Sequence, residues 1–386
     1  MHPYLNNWLT SNDAGKILTP QVLVNQDQLK QNIKDMASFS KEHVVKLRPH
    51  FKTHKTMEIL QLQLEQGAIG VTVAKLGEAE EIVASSLFNG RKLSILVAYP
   101  VVGEQNLQRA LALQKQAELI LMVDHMDQVI ALNAFAKQHQ TSFSVTVKIN
   151  TGLNRCGLNP DSSEVRAFIR NLLNCKNLSF IGVMTHAGHA YGASSTEELN
   201  RIGHYEAGAL LELIDEVSSS FALPQLEVSV GSTPTARISG AVPGVTELRP
   251  GNYVFYDRTQ VGLGVATFEQ CALRVASRVV SQPAPNRWII DAGSKTLTLD
   301  QGAHGQSGVS GYGYVVGQPD LTITRLSEEH GVLEGSPNGD LRIGDIIEVI
   351  PNHACPVVNL ADELVVLSLN QEEFTIWEVK GRGKSR

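Results

Sequence analysis

Val44-Val45-Lys46-Leu47-Arg48-Pro49-His50-Phe51-Lys52-Thr53-His54-Lys55 joins a short apolar run to two lysines, two histidines and an arginine packed into its last eight residues. The run has the pattern of a buried strand, and Pro49 keeps Arg48 extended, so the basic cluster falls where that strand ends. Cationic and imidazole groups crowded there repel one another. At least one amine is therefore expected below the usual lysine pKa of about 10.4. A neutral amine is a nucleophile able to form a Schiff base with a carbonyl. A basic surface turn is the plain alternative, and the strand pattern ahead of the cluster argues against it.

The same rhythm repeats downstream. Apolar runs of strand length begin near Val44, Ile69, Leu93, Leu119, Val145, Phe180, Leu226 and Leu248. Helices are predicted between most of them, over residues 56–66, 77–86, 103–116, 126–138, 161–173 and 196–218. Strands apolar on both faces that alternate with helices indicate parallel βαβ units. Eight of them favour an α/β fold of the (β/α)8 TIM-barrel type. A doubly wound sheet is the runner-up, but no G-x-G-x-x-G follows the first strand and Gly262-Leu263-Gly264 alone is weak. Upstream, a short strand at Val22–Val24 precedes an amphipathic helix carrying Leu29, Ile33 and Met36. Beyond about residue 262 the pattern changes to short β-type runs at 272–280, 287–291, 346–349, 364–368 and 374–379, which marks a second, mostly β domain. The expected organisation is a barrel at 19–262 and a β domain from 1–18 and 263–386.

Composition excludes several classes of function. With 42% hydrophobic and 19% charged residues the 386-residue chain is ordinary for a soluble protein. A net charge of −6 without a long basic run argues against a nucleic-acid or anionic-membrane partner. No apolar run reaches membrane-spanning length and the N-terminus lacks a signal-peptide pattern, so a cytoplasmic location is expected. Cys156, Cys175, Cys271 and Cys355 are far apart, with no CxxC, which suggests no disulfide framework.

In such a barrel the strand ends carry chemistry. Two imidazoles and a phenol meet in Thr185-His186-Ala187-Gly188-His189-Ala190-Tyr191, a set suited to proton transfer. Small residues in Gly231-Ser232-Thr233-Pro234-Thr235 let backbone N–H groups close on an anion. Lys75 and Glu78, at the second strand end, read as helix caps. His353 and Cys355 lie two residues apart, and on an extended segment both would reach one ion.

Together these segments resemble the D-serine dehydratase / D-threonine aldolase family, pyridoxal-phosphate enzymes related to alanine racemase. RPHFKTHK is similar to the family's cofactor-lysine motif, which makes Lys52 the Schiff-base residue. Asn150–Gly157 resembles its D-x-G-x-x-R-x-G segment, with Asn150 in the acidic place and Arg155 set to bond the cofactor's phenolate oxygen. GSTPT resembles the phosphate loop (Gly231, Ser232, Thr233), and Gly251, Asn252 and Tyr253 of the E-x-R-P-G-x-Y segment complete the phosphate cup. His186 and Tyr191 fall in the cofactor pocket. His353 and Cys355 then hold a divalent metal; thiolate favours zinc without excluding manganese or magnesium.

The activity implied is dehydration of a small D-3-hydroxy amino acid such as D-serine, giving a keto acid and ammonia. Lys52 takes the α-proton and the metal acts as Lewis acid on the departing hydroxyl. Retro-aldol cleavage to glycine and an aldehyde, with His186 as base, stays open, as does D-threo-3-hydroxyaspartate as substrate. A non-catalytic cofactor carrier and racemisation through Tyr312 or Tyr314 are further alternatives. A head-to-tail homodimer is implied by the resemblance alone.

Overall fold

The computed structural model describes residues 18–86, 92–221, 223–302, 309–368 and 374–386. They form two compact units: Lys34–Gly251 with Gly383–Arg386, and the described part of Met1–Ile33 with Asn252–Arg382. Strand β1 (Gln21–Asn25) and helix α1 (Gln26–Glu42) open the chain. Asn25 Oδ1 caps α1 by accepting Gln28 N at 2.9 Å. Leu29, Ile33 and Met36 are buried along one stripe of the helix, as their spacing predicts. The boundary between units falls within α1.

Eight parallel strands follow in the larger unit: β2 (Lys46–Leu47), β3 (Val71–Val73), β4 (Ser94–Val97), β5 (Glu118–Val123), β6 (Phe143–Lys148), β7 (Leu178–Met184), β8 (Glu227–Val230) and β9 (Glu247–Leu248). Each falls on one of the eight apolar runs. Between them run α2 (Met57–Glu65), α3 (Leu76–Ala84), α4 (Glu104–Gln114), α5 (Met126–Gln138), α6 (Ser163–Leu173), α7 (Thr196–Phe221) and the single turn α8 (Ala236–Ser239). The sheet order is β2-β9-β8-β7-β6-β5-β4-β3. A parallel bridge from His50 to Thr72 joins its two ends. Ile69 N to Leu47 O and Thr72 N to Pro49 O, both 2.9 Å, complete that seam, and the sheet closes as a barrel. The covering helices are held by apolar stripes. In α6 the stripe is Val165, Phe168, Ile169 and Leu172, each such side chain contributing about 1.5–3 kcal/mol on burial.

In the second unit α9 (Arg258–Gly262) leads into β10 (Leu273–Ala284), β11 (Arg287–Ile290), α10 (Ser294–Leu297), β12 (Tyr314–Val315), β13 (Leu321–Leu326), β14 (Gly331–Gly335), β15 (Ile346–Ile350), α11 (Ala354–Leu360), β16 (Glu363–Leu367) and β17 (Thr375–Glu378). The order β11-β14-β13-β12-β15-β10, with β10 also paired to β11, is a closed antiparallel ring of six strands. On its flank β10 pairs with β1, β1 runs parallel to β16, and β16 pairs with β17.

Three expectations change. The segment from residue 19 to 33 belongs to the β unit, because β1 finds its partners in β10 and β16. The unit boundary on the other side falls at Gly251 instead of 262. Strands β12, β13 and β14 were not visible as apolar runs, since β13 (LTITRL) and β14 (GVLEG) mix charge and glycine among their apolar residues. Residues 1–17 lie outside the described residues. Among those described, no helix is long and apolar enough to cross a membrane.

Candidate active site

Past β2 the chain turns into a 3₁₀ turn, Phe51–Thr53, with Phe51 fully buried beneath it. The basic cluster is thereby sorted. Arg48 turns into the barrel, where its Nε donates to Glu247 Oε2 at 2.7 Å. Lys55 is buried and pairs with Glu78 at 3.5 Å, while Glu78 Oε2 accepts Ala74 N at 2.7 Å. His54 is fully buried, and that burial drives its pKa down to about 3 although hydrogen bonds with Thr56 and Gln63 oppose the shift. His50 and Lys52 remain facing a cavity of about 640 Å³, within the size range of small-molecule sites. Most of this short segment is thus buried, and it is not a basic surface turn.

The cavity lies at the strand ends. Lys52, Lys75, Lys148, Arg155, His186, Gly231 and Arg249 line it, and no Asp or Glu does so among the described residues. His186 Nδ1 sits 2.7 Å from the carbonyl oxygen of Gly231. A carbonyl only accepts, so Nδ1 carries the proton and Nε2 keeps its lone pair. Burial, then the charges of Lys52 and Lys148, push this imidazole well below its usual pKa. His50 is lowered in the same way by burial, Lys52 and His186. Both rings are therefore neutral at pH 7.

Backbone contacts draw the loops together. Gly231 has φ +141°, and a Cβ there would meet Arg249 N at 2.8 Å. A Cβ on Gly251 would meet Thr53 Oγ1 at 2.6 Å, and His50 N donates to Pro250 O at 3.0 Å. Ser232 and Thr233 are buried, with Ser232 Oγ 2.9 Å from Thr235 Oγ1. Asn150 Oδ1 accepts the N–H groups of Gly152 at 3.1 Å and Asn154 at 3.0 Å. An uncharged amide suffices for that loop-closing task, which explains asparagine in the acidic place. Tyr191 sits half-buried on the turn Gly188–Gly192 and does not line the cavity.

Sequence reasoning missed Lys148, Arg249 and Glu206. Lys148 ends β6 and is 4% exposed; burial, with Arg249 and Arg155 adding repulsion, pulls its pKa well below the lysine range. Arg249 donates to Ser229 Oγ and to Thr185 O. Burial lowers it to about 10 although Glu247 and Glu206 hold it up. Glu206, on α7, accepts Thr235 Oγ1 at 2.5 Å and Ala187 N at 3.2 Å, tying two strand-end loops together. The available signal was a basic or acidic residue at the end of an apolar strand or within an apolar helix stripe.

In the β unit, His353 and Cys355 do not lie on an extended segment. His353 is the N-cap of α11 and Cys355 lies in its first turn. Their side chains nevertheless interact, and His353 Nδ1 is 2.8 Å from Asp300 Oδ2. Burial lowers the His353 pKa, but Cys355, Asp300 and Asp257 outweigh it and raise the ring to about 10. Asp257 also accepts Ala354 N at 2.9 Å and Asn252 Nδ2 at 2.6 Å, fixing the start of α11. Asn252 and Tyr253 are both buried in this unit. No set of three His, Cys, Asp or Glu side chains converges on a metal position among the described residues. The donor chemistry still fits a cation: an imidazole oriented by a carboxylate on Nδ1 presents Nε2, with a sulfur beside it.

A barrel with a lysine-bearing cavity at its strand ends, combined with an antiparallel ring of strands, defines an alanine-racemase-like protein. Residues 24–259 match the family described as alanine racemase, N-terminal domain, and residues 272–367 match the putative serine dehydratase domain. The chain belongs to this alanine-racemase-like family with a serine-dehydratase-type second domain. It is 32% identical over 352 residues to D-threo-3-hydroxyaspartate dehydratase of Delftia sp. (strain HT23), covering 87% of this chain and 90% of that one. It is 28% identical to D-threonine aldolase of Arthrobacter sp, covering 96% and 94%. The solved structure of the Delftia enzyme superposes with a TM-score of 0.86 over 94% of this chain and 97% of its own. A variant of that enzyme has been solved in a form described as metal-free.

Proposed function

We propose that this chain is a pyridoxal-phosphate- and divalent-metal-dependent lyase that dehydrates D-3-hydroxy amino acids to a keto acid and ammonia. The observation that carries the reading is Lys52, held at a barrel strand end in a cavity whose wall has five lysine and arginine side chains and, among the described residues, no carboxylate. That surroundings suits an aldehyde coenzyme with an anionic phosphate. The Gly231 loop, which leaves no room for a Cβ, supplies a close-packed backbone for the phosphate.

When bound, pyridoxal phosphate supplies an electron sink for negative charge at the substrate α-carbon. Lys52 Nζ would hold the coenzyme through its aldehyde carbon, and the same amine, facing the cavity, would be the base for the substrate α-proton. His186 Nε2 keeps its lone pair but is a weak base at its lowered pKa. Arg155 would bond the coenzyme's phenolate edge, and Ser232, Thr233, Gly251, Asn252 and Tyr253 are assigned to coenzyme binding, whereas Tyr191, which does not line the cavity, is not. His353 Nε2 and Cys355 Sγ would hold the cation, zinc by ligand softness, which supplies a Lewis acid for departing hydroxide.

The reading includes a cytoplasmic homodimer. Among the described residues Cys156, Cys175, Cys271 and Cys355 form no disulfide, which is compatible with a reducing compartment. The test is incubation of the purified protein with D-serine, D-threonine and D-threo-3-hydroxyaspartate, assaying keto acid against glycine. Keto acid formation that is lost in Lys52→Ala, together with the visible absorption of the bound coenzyme, supports the proposal. Glycine as the main product, or full turnover by Lys52→Ala, overturns it.

A further inference from the structure

We propose that Glu206 is a positioning residue for the phosphate loop: it carries a proton while the loop holds the coenzyme, and that proton turns the hydroxyls of Thr235 and Ser232 toward the phosphate. The inference rests on the coenzyme reading given above and adds to it a residue that does not line the cavity.

The argument starts from a count of hydrogens. Glu206 projects from α7 and has no exposed surface. Its Oε1 lies 2.5 Å from Thr235 Oγ1, which lies 2.9 Å from Ser232 Oγ, and all three side chains are buried. Each hydroxyl owns one proton and donates once. An ionised Glu206 has none, so Thr235 donates to it and takes the Ser232 proton in turn. Ser232 then offers only lone pairs to the loop. A phosphate dianion also only accepts, and the two would repel. A neutral Glu206 reverses the chain: its O–H donates to Thr235 Oγ1, Thr235 donates to Ser232, and the Ser232 proton is left for the anion. Oε2 accepts Ala187 N at 3.2 Å in either state, so the proton belongs on Oε1.

The surroundings favour that proton. No lysine or arginine forms an ion pair with Glu206 among the described residues. The charged side chains that face it are Arg249, just past β9, and Lys148, at the end of β6. Arg249 donates instead to Ser229 Oγ and Thr185 O. A buried carboxyl without a paired cation prefers its neutral form. Burial accordingly pushes Glu206 up, although hydrogen bonds from Thr235, Ser239 and Ala187 N and the charge of Arg249 pull the other way. Gly231, next to Ser232, lines the cavity. An anion bound at that loop adds negative charge near the carboxyl and favours the proton, drawn from solvent, further.

The experiment measures the affinity of the full chain for pyridoxal phosphate from mildly acidic to mildly alkaline pH, in the wild type, Glu206→Gln and Glu206→Met. Infrared difference spectra of the holoenzymes are recorded alongside. Glutamine keeps both contacts and cannot ionise, since its amide N–H donates to Thr235 and its carbonyl accepts Ala187 N. We expect a protonated-carboxyl band in the wild-type holoenzyme that is missing from Glu206→Gln. Wild-type affinity should fall with rising pH by up to about tenfold per unit more than that of Glu206→Gln, so that the variant binds the coenzyme more tightly at the alkaline end. Glu206→Met, which cannot donate to Thr235, should bind it more weakly throughout. A wild-type holoenzyme without the band, or a Glu206→Gln that binds more weakly than the wild type at every pH, overturns the inference and leaves the coenzyme reading standing. If the wild type binds no pyridoxal phosphate the coenzyme reading fails, and inorganic phosphate becomes the deciding probe. A carboxyl band that grows with phosphate in the wild type and not in Glu206→Gln then keeps the inference, and its absence removes it.

Discussion

Arg48 Nε donates to Glu247 Oε2 at 2.7 Å with both side chains buried inside the barrel. The two residues lie at the C-terminal end of β2 and on β9, the first and last strands of the ring, which pair in parallel. Glu247 Oε1 accepts Ser229 Oγ at 2.5 Å, and Ser229 accepts from Arg249 at the cavity. A single carboxylate thus holds the barrel seam and, through one hydroxyl, the guanidinium on the cavity wall.

Removal of that carboxylate takes from Arg48 its buried ion-pair partner and from Arg249 one of the carboxylates that hold it up. Glu247→Ala is expected to cost about 3–5 kcal/mol, the range for breaking a buried pair from one side. Glu247→Gln, which keeps the shape and part of the hydrogen bonding, should cost less. Urea unfolding followed by circular dichroism measures both. An alanine variant as stable as the wild type would show that the seam does not depend on this pair.

Lys148 makes stability depend on pH with a definite sign. Its folded-state pKa lies below the unfolded value near 10.5 because burial, Arg249 and Arg155 penalise the charged amine. Between the two pKa values the unfolded chain binds more protons, so this group's contribution to stability rises with pH. Lys148→Met removes the penalty. In coenzyme-free protein the variant should melt above the wild type near neutral pH, with a gap that narrows as the pH approaches 10.5. Parallel melting curves across that range would contradict a depressed Lys148.

How far the sequence reached follows from what kind of signal each part carries. Eight apolar runs were enough for the barrel because parallel strands are buried on both faces, and Val71–Val73 and Ser94–Val97 stand out without any alternation. Leu321–Leu326 and Gly331–Gly335 form an antiparallel pair with polar positions, so their pattern was lost among turns. The local cluster was enough to single out Lys52, which the structure places on the cavity wall. The burial of Arg48 and Lys55 was not, since Glu247 and Glu78 that neutralise them are 199 and 23 positions away in sequence. Lys148 lay hidden for the opposite reason: one basic residue at the end of an apolar strand resembles a strand terminus meeting water.

Gly251 closes the loop after β9 onto the turn that carries Lys52. Its missing Cβ is what admits Thr53 Oγ1, which a methyl group would approach to 2.6 Å, with His50 Cβ at 3.1 Å. Gly251→Ala should therefore move the Lys52 turn and weaken coenzyme binding more than it weakens the fold. Thermal melting within a few degrees of the wild type, with coenzyme lost on dialysis, is the expected combination. Unchanged coenzyme retention would mean that the turn yields without consequence for Lys52.

Asp300 orients His353 by accepting at Nδ1 across 2.8 Å, which on the proposed reading leaves Nε2 for the cation. Its loss frees the ring to rotate or change tautomer, and such supporting carboxylates typically affect metal affinity by about 10- to 100-fold. Asp300→Asn should show that loss in a titration with zinc against a competing chelator, while the visible absorption of bound coenzyme is retained. Cys355→Ala should weaken the metal further, because on the proposed reading it removes a ligand and not its support. Chelation of the wild type should abolish keto acid formation and leave the coenzyme in place. Undiminished turnover in chelator-treated protein confirmed free of metal would exclude the cation from the dehydration step and return His353 and Cys355 to a purely structural pairing at the start of α11.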